Sequence, residues 1–188
     1  VDEKDCIIYR ILNMNGRVKL TTISEALSFS PPSTKERLDK LIKNEEIAIK
    51  ALLNVKKRGY KTAVCCIRAE TMEDATKLAD ALKDCPRVVF AITSTGAYNL
   101  IIALVAKNAD MLQNTIENDI RPLPGIKGME VSIGDAPIVP EFLDIRIVDR
   151  RDRAPCGTKP CNQCYLYERK CEGCPATNYF LGLDSCPY

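Results

Sequence analysis

Six cysteines crowd the last forty residues, in the order Cys156-x4-Cys161-x2-Cys164-x6-Cys171-x2-Cys174, with Cys186 near the end. The chain has no histidine, so any metal chemistry here rests on thiolates. Two CxxC pairs, CNQC and CEGC, each let two thiolates reach one ion, and four thiolates match the tetrahedral preference of zinc. Cys161, Cys164, Cys171 and Cys174 are the first-choice ligands, and Cys156 is able to replace one of them. An iron–sulfur cluster is the alternative, because cysteine-only sets and a Cys-Pro after the last ligand, here Cys174-Pro175, also occur there. A four-cysteine site leaves two over, for a Cys156–Cys186 disulfide or free thiols, and disulfides alone are the third reading. A segment this small has little core of its own and calls for some cross-link.

A second set of residues suits a polyanion. Residues 1–60 carry 12 Lys+Arg against 8 Asp+Glu, a net of +4, whereas residues 61–148 carry 9 against 12, a net of −3. A basic N-terminal unit before an acidic middle fits a nucleic-acid contact confined to one end. Ile7, Ile8, Ile11 and Leu12 recur at helical spacing until Asn15-Gly16. A short helix from about Thr22 turns Ile23, Ala26 and Leu27 inward. Ser30 is a natural N-cap for a third helix over 31–43, and Pro31 fits its first position, where the missing N–H costs nothing. Thr34, Leu38, Leu41 and Ile42 form the buried stripe of that helix. Three helices of this kind read as a helix-turn-helix with 31–43 as the recognition helix. Ile47–Lys50 and Ala51–Val55 are expected to pair as a two-stranded wing. Ser33, Thr34 and Lys35 are the candidates for base edges, and Arg37, Lys40, Lys50, Lys56, Lys57 and Arg58 for phosphates.

The middle of the chain alternates strands and helices. YKTAVCCIR (60–68), RVVFAIT (87–93), YNLIIALVA (98–106) and Gly128–Ile133 read as strands. Thr71 with Asp74 starts one helix, whose core stripe is Ala75, Leu78, Ala79 and Leu82. Asn108 or Asp110 starts the other, with Leu112, Ile116 and Ile120 buried, and Pro122 ends it. The order βαββαβ predicts a ferredoxin-like antiparallel sheet with both helices on one face. Val64, Cys66, Phe90 and Ile101 are too apolar for a bare second face, so two such sheets are expected to pack together. A last strand over about 140–148 either extends this sheet or crosses to a partner. The fold class is therefore α+β: a winged helix-turn-helix over 1–55, a ferredoxin-like domain over 60–148 and a small Cys-rich module over 154–188. The longest apolar run, LIIALVA at 100–106, is far short of the ~20 residues that span a bilayer, so no membrane role is expected. Cys6, Cys65, Cys66 and Cys85 lie in the body as small packing residues, which points to a cytoplasmic protein.

Four stretches in this order carry a resemblance to a known family: SPPSTKERLDKLIKNEEI at 30–47, NVKKRGY at 54–60, TGAYNL at 95–100 and RPLPGIKGMEVSIG at 121–134. Over about residues 1–148 the chain resembles the leucine-responsive/asparagine-responsive (Lrp/AsnC) transcription regulators. The resemblance implies a regulator binding double-stranded DNA, homodimers assembling to an octamer, and response to an amino acid or other small effector. It places Thr95, Gly96, Tyr98 and Asn99 at the effector site. Two departures stand out. Glu45 occupies the turn after the recognition helix where the family usually has Gly, so that turn is expected to be built differently. Asn99 stands where the family's turn usually carries Asp, which removes a partner for an amino-acid ammonium group. The tail, in turn, resembles small zinc-finger-like modules. An enzyme reading exists in relatives that resemble sirohaem decarboxylases, but those use histidines, which this chain lacks. A redox switch in the tail is a further reading.

Overall fold

The computed structural model describes residues 2–157 and 159–182. The chain divides into two compact units, Val1–Ala51 and Leu52–Tyr188.

The first unit holds α1 (Glu3–Met14), α2 (Leu20–Leu27) and α3 (Pro31–Lys43). Ile8, Ile23, Leu27 and Leu41 form its buried centre, with Ile7, Ile11, Leu12, Leu38 and Ile47 packed around them. Burying each such side chain contributes about 1.5–3 kcal/mol. Of the stripe expected on α3, Thr34 and Leu41 are buried, whereas Ile42 is exposed. α1 begins with reciprocal bonds: Asp5 N donates to Asp2 Oδ1 at 3.0 Å, and Asp2 N donates to Asp5 Oδ2 at 2.8 Å. Arg37 of α3 binds both carboxylates, its Nε donating to Asp5 Oδ1 at 2.6 Å and its Nη2 to Asp2. One side chain thus staples the third helix to the start of the first.

Ser30 caps α3 by accepting from Ser33 N, as its sequence predicts. At the other end Glu46 N donates to Leu41 O, and Glu45 adopts φ 58°. The turn is not built differently to accommodate Glu45. It keeps the left-handed geometry that favours glycine, at a steric cost to a residue with a Cβ.

In the second unit β2 (Lys61–Ala69), β3 (Val88–Thr93), β4 (Leu100–Ala106) and β5 (Ile126–Asp135) form one antiparallel sheet in the order β3-β4-β2-β5. α4 (Met72–Leu82) and α5 (Ala109–Asn114) join consecutive strands. Alternate residues of β2 face in opposite directions. Ala63, Cys65, Ile67 and Ala69 are buried in one core with Leu78, Leu82, Leu112 and Ile116. Val64, Phe90 and Ile92 lie 40%, 51% and 48% exposed, so the opposite face of the sheet is open and apolar. α5 runs on into a wider π-helical turn over Thr115–Ile120, with Arg121 N donating to Ile116 O at 2.8 Å.

Two expectations give way here. The segment 47–50 is not a strand and forms no wing with 51–55; instead β1 (Leu53–Asn54) pairs with β6 (Phe142–Leu143) in a separate two-stranded sheet. Val55, Tyr60, Val105 and Leu143 make a small core beside that pairing. The other concerns the cysteine-rich segment, which packs into the sheet unit. Ala154, Cys156, Cys171, Cys174 and Ala176 belong to the same core as Leu82, Val88 and Ile120. Arg151 N donates to Ala176 O and Asn178 N to Arg151 O, both at 2.9 Å, which closes the segment on itself. Cys186 lies outside the described residues.

The Arg37 staple gives the first unit a defined pH dependence. The Asp5 N–H and Arg37 hold the Asp2 carboxyl below its usual 3.8. Arg37, then the Asp2 N–H, does the same for Asp5. Folded values below the unfolded one mean stabilisation that is complete above 3.8 and is lost as pH falls through the folded values. Urea melts of the helical signal from neutral pH to about pH 2.5 should show stability dropping at the acid end, with a smaller drop in Arg37→Met, which keeps the capping bonds between Asp2 and Asp5.

Candidate functional site

Three places hold the residues singled out by sequence. The first is α3. Ser33, Lys35 and Lys40 are exposed on the side away from the buried Thr34 and Leu41. Ser33 Oγ is 2.9 Å from Ser30 Oγ. Thr34 is 0% exposed, and its hydroxyl donates to Ser30 O at 3.0 Å. It therefore packs the helix and is out of reach of a base. Arg37 is committed to Asp2 and Asp5 rather than presented to a phosphate. Lys50 is exposed at the end of the first unit. Lys56, Lys57 and Arg58 are exposed in a turn that belongs to the second unit.

The second place is the turn joining β3 to β4. Ser94 N donates to Asn99 O, and Ser94 Oγ donates to Tyr98 O at 2.8 Å. Gly96 has φ 120°, a conformation closed to most side chains. Asn99 is a clamp. Its Oδ1 accepts from Ala69 N at 2.7 Å, and its Nδ2 donates to Ala69 O at 3.2 Å and to Thr71 O at 3.4 Å. It ties β4 to the end of β2 and the cap of α4. A carboxylate would have nothing to donate to those two carbonyls, which gives Asn at this position a structural reason. A hydrogen bond to Glu130 raises the Tyr98 hydroxyl above its ordinary range. Thr95 is exposed.

The third place is a cavity of ≈ 300 Å³ that all four expected ligands line: Cys161, Cys164, Cys171 and Cys174. Asn114, Asn118 and Asp119 reach it from the end of α5 and the π turn, and Arg87 from the start of β3. π turns often mark functional positions, and here the extra width sets two side chains toward one wall. Among the described residues, no group of three or more His, Cys, Asp or Glu is disposed to hold a single metal ion. The zinc expectation therefore finds no support in this arrangement. Cys156 Sγ lies 3.1 Å from Cys85 Sγ in the core behind the cavity. Cys85 had been read as a packing residue only, and nothing in its spacing connects it with the tail.

Arg87, 3% exposed, was absent from the sequence-derived candidates. Its Nη2 donates to Gly173 O at 2.7 Å and its Nη1 to the Thr115 hydroxyl. Burial works against the guanidinium charge. Cys174, Cys171, Cys85 and Cys156 around it favour that charge more strongly, and its pKa stands above the usual arginine value. Burial pushes the Cys174 thiol up to about 12, against the pull of Arg87. Burial likewise raises Asp119 to about 6.

The molecule is thus a two-unit protein: three helices with one basic helix face, then a mixed α/β unit with antiparallel sheets. Residues 62–134 match the family model for the Lrp/AsnC ligand binding domain. An HTH-type transcriptional regulator of Pyrococcus horikoshii is 28% identical over 135 residues, covering 71% of this chain and 85% of that protein. Two solved structures share the fold. AsnC of Escherichia coli has a TM-score of 0.62 at 23% identity, over 71% of this chain and 91% of that one. A transcriptional regulator of Neisseria meningitidis, solved with L-Met, has a TM-score of 0.57 at 20% identity, over 73% and 92%. Over these stretches the chain is similar to the Lrp/AsnC ligand binding domain and to HTH-type transcriptional regulators. The cysteine-rich segment lies beyond the residues that the family model matches.

Asn99→Ala removes three bonds at once, two of them partly buried. We expect a loss of about 1–3 kcal/mol in urea unfolding of the sheet unit. Asn99→Asp should recover only part of that loss, because it restores the acceptor alone.

Proposed function

We propose that this regulator binds double-stranded DNA sequence-specifically through α3, in the manner of a helix-turn-helix. The observation that carries the reading is the two-sided character of that helix. Thr34 and Leu41 anchor it, while Ser33, Lys35 and Lys40 are each exposed. Ser33 and Lys35 are the base-edge candidates, and Lys40 and Lys50 contact phosphates. Lys56, Lys57 and Arg58 add positive charge at the entry to the sheet unit, which we read as ferredoxin-like from its strand order.

Two copies join through the open face of the sheet. Val64, Phe90, Ile92 and Ile101 supply the apolar surface, and such a patch on a sheet is stable when another sheet covers it. Dimers assemble further, to an octamer. The second unit takes an amino acid or another small effector near the β3–β4 turn, where Thr95 and Tyr98 are left to contact it. Gly96 and Asn99 have structural duties there. The likeness to the N. meningitidis protein and its L-Met complex supports an effector of this class. Among the described residues no helix is long and apolar enough to cross a membrane. We place the regulator in the cytoplasm.

Binding that rests on phosphate contacts weakens with salt, the logarithm of affinity falling linearly with the logarithm of salt concentration. Fluorescence anisotropy of the full chain on its own promoter, at several salt concentrations, should give such a line. Lys40→Ala should lower its slope by about 1 and weaken all sequences alike, whereas Lys35→Ala should relax sequence preference. Absence of any specific complex at low salt contradicts the proposal.

A further inference from the structure

The geometry points to an iron–sulfur cluster held in the cavity by Cys161, Cys164, Cys171 and Cys174, with Arg87 as its counter-charge. A single zinc ion needs four sulfurs at ≈ 2.3 Å from one point, hence about 3.8 Å from one another. Among the described residues no three potential ligands converge in that way. The four thiols are set around a volume instead. Cys161 Sγ contacts the Thr177 hydroxyl at 3.5 Å, whereas Cys164 Sγ contacts Asn114 Oδ1 at 3.6 Å, on a different element. The space of ≈ 300 Å³ that they share is about ten times the share of a water molecule in the liquid. A group of several irons bridged by sulfide takes one thiolate at each iron, and so suits cysteines that surround a void.

Charge supports the same occupant. Arg87 lines the cavity, is almost wholly buried and, among the described residues, forms no ion pair with a carboxylate. Its bonds to Thr115 and Gly173 go to neutral oxygens. Asp119 is a carboxylate on the same cavity wall, and a cluster carried on four thiolates adds anionic charge beside the buried cation. The CEGC loop is also shaped for a fixed task. Gly173 has φ 85°, and a Cβ there would lie 2.8 Å from Tyr179 O, so position 173 favours glycine. That close approach seats Gly173 O on Arg87 at 2.7 Å and sets both thiols on the cavity wall.

The test is chemical analysis of the full chain, produced and purified without oxygen and then reconstituted anaerobically with ferrous iron and sulfide. Expected are a brown protein and iron and acid-labile sulfide in equal amounts, about four of each per chain for a cubane cluster. Cys164→Ala and Cys174→Ala should each lose most of the iron, at least fivefold. Cys66→Ala, on the open face of the sheet, should keep it. Should the ligand variants fail to fold, the iron-to-sulfide ratio of the unaltered chain decides alone. A colourless protein with one zinc and no sulfide overturns the assignment. So does a chain that takes up neither metal nor sulfide, or that keeps its iron in both ligand variants.

Discussion

A buried arginine organises the second half of this molecule. Arg87 stands at the start of β3, where chain that is strand on one side meets loop on the other. Its guanidinium holds the π turn through Thr115 and the CEGC loop through Gly173, with burial to 3% exposure. A charge in that position is tolerable only while its donors are satisfied and negative potential is close by. Sheet, helix end and tail each supply part of that environment. The cysteine-rich segment is therefore built into the core of the sheet unit, with Cys156, Cys171 and Cys174 packed among leucines and isoleucines.

The first unit solves a different problem with the same economy. Its helices are short, and short helices rely on capping and tertiary packing more than on propensity. Asp2 and Asp5 cap α1, and Arg37 uses those same carboxylates to fasten α3. What this removes from the DNA-facing inventory it returns as rigidity in the helix that presents Ser33, Lys35 and Lys40. At the far end Glu45 holds a left-handed turn that glycine would adopt more cheaply. The turn geometry is evidently set by the packing of Leu41 and Ile47 rather than by the residue in the turn.

Local signals were legible in the sequence, and long-range ones were not. The Ser30 cap, the Thr71 cap and the Asn108 cap each depend on residues three positions apart, and all three helices start where those residues stand. The alternation in β2 likewise set Cys66 on the second face of the sheet, and it is half-buried there while Cys65 is in the core. The wing failed because 53–54 finds its partner at 142–143, a pairing that no local pattern encodes. The phosphate role expected for Arg37 failed for a similar reason, since its carboxylates lie more than thirty positions earlier. In the tail, spacing picked out four cysteines that line one cavity. It was silent on Arg87, on the π turn and on Cys85, which lies 3.1 Å from Cys156 across 71 positions. Cysteine is both a ligand and a small hydrophobe, and spacing alone does not separate those uses.

The central claim is that the cysteine-rich segment and the sheet are one folded body. Hydrogen exchange of the full chain reads this directly, comparing amides of residues 171–177 with those of β4. Our account predicts that both exchange through the same cooperative opening and respond together to denaturant. Independent, faster exchange of 171–177 while β4 stays protected would contradict it.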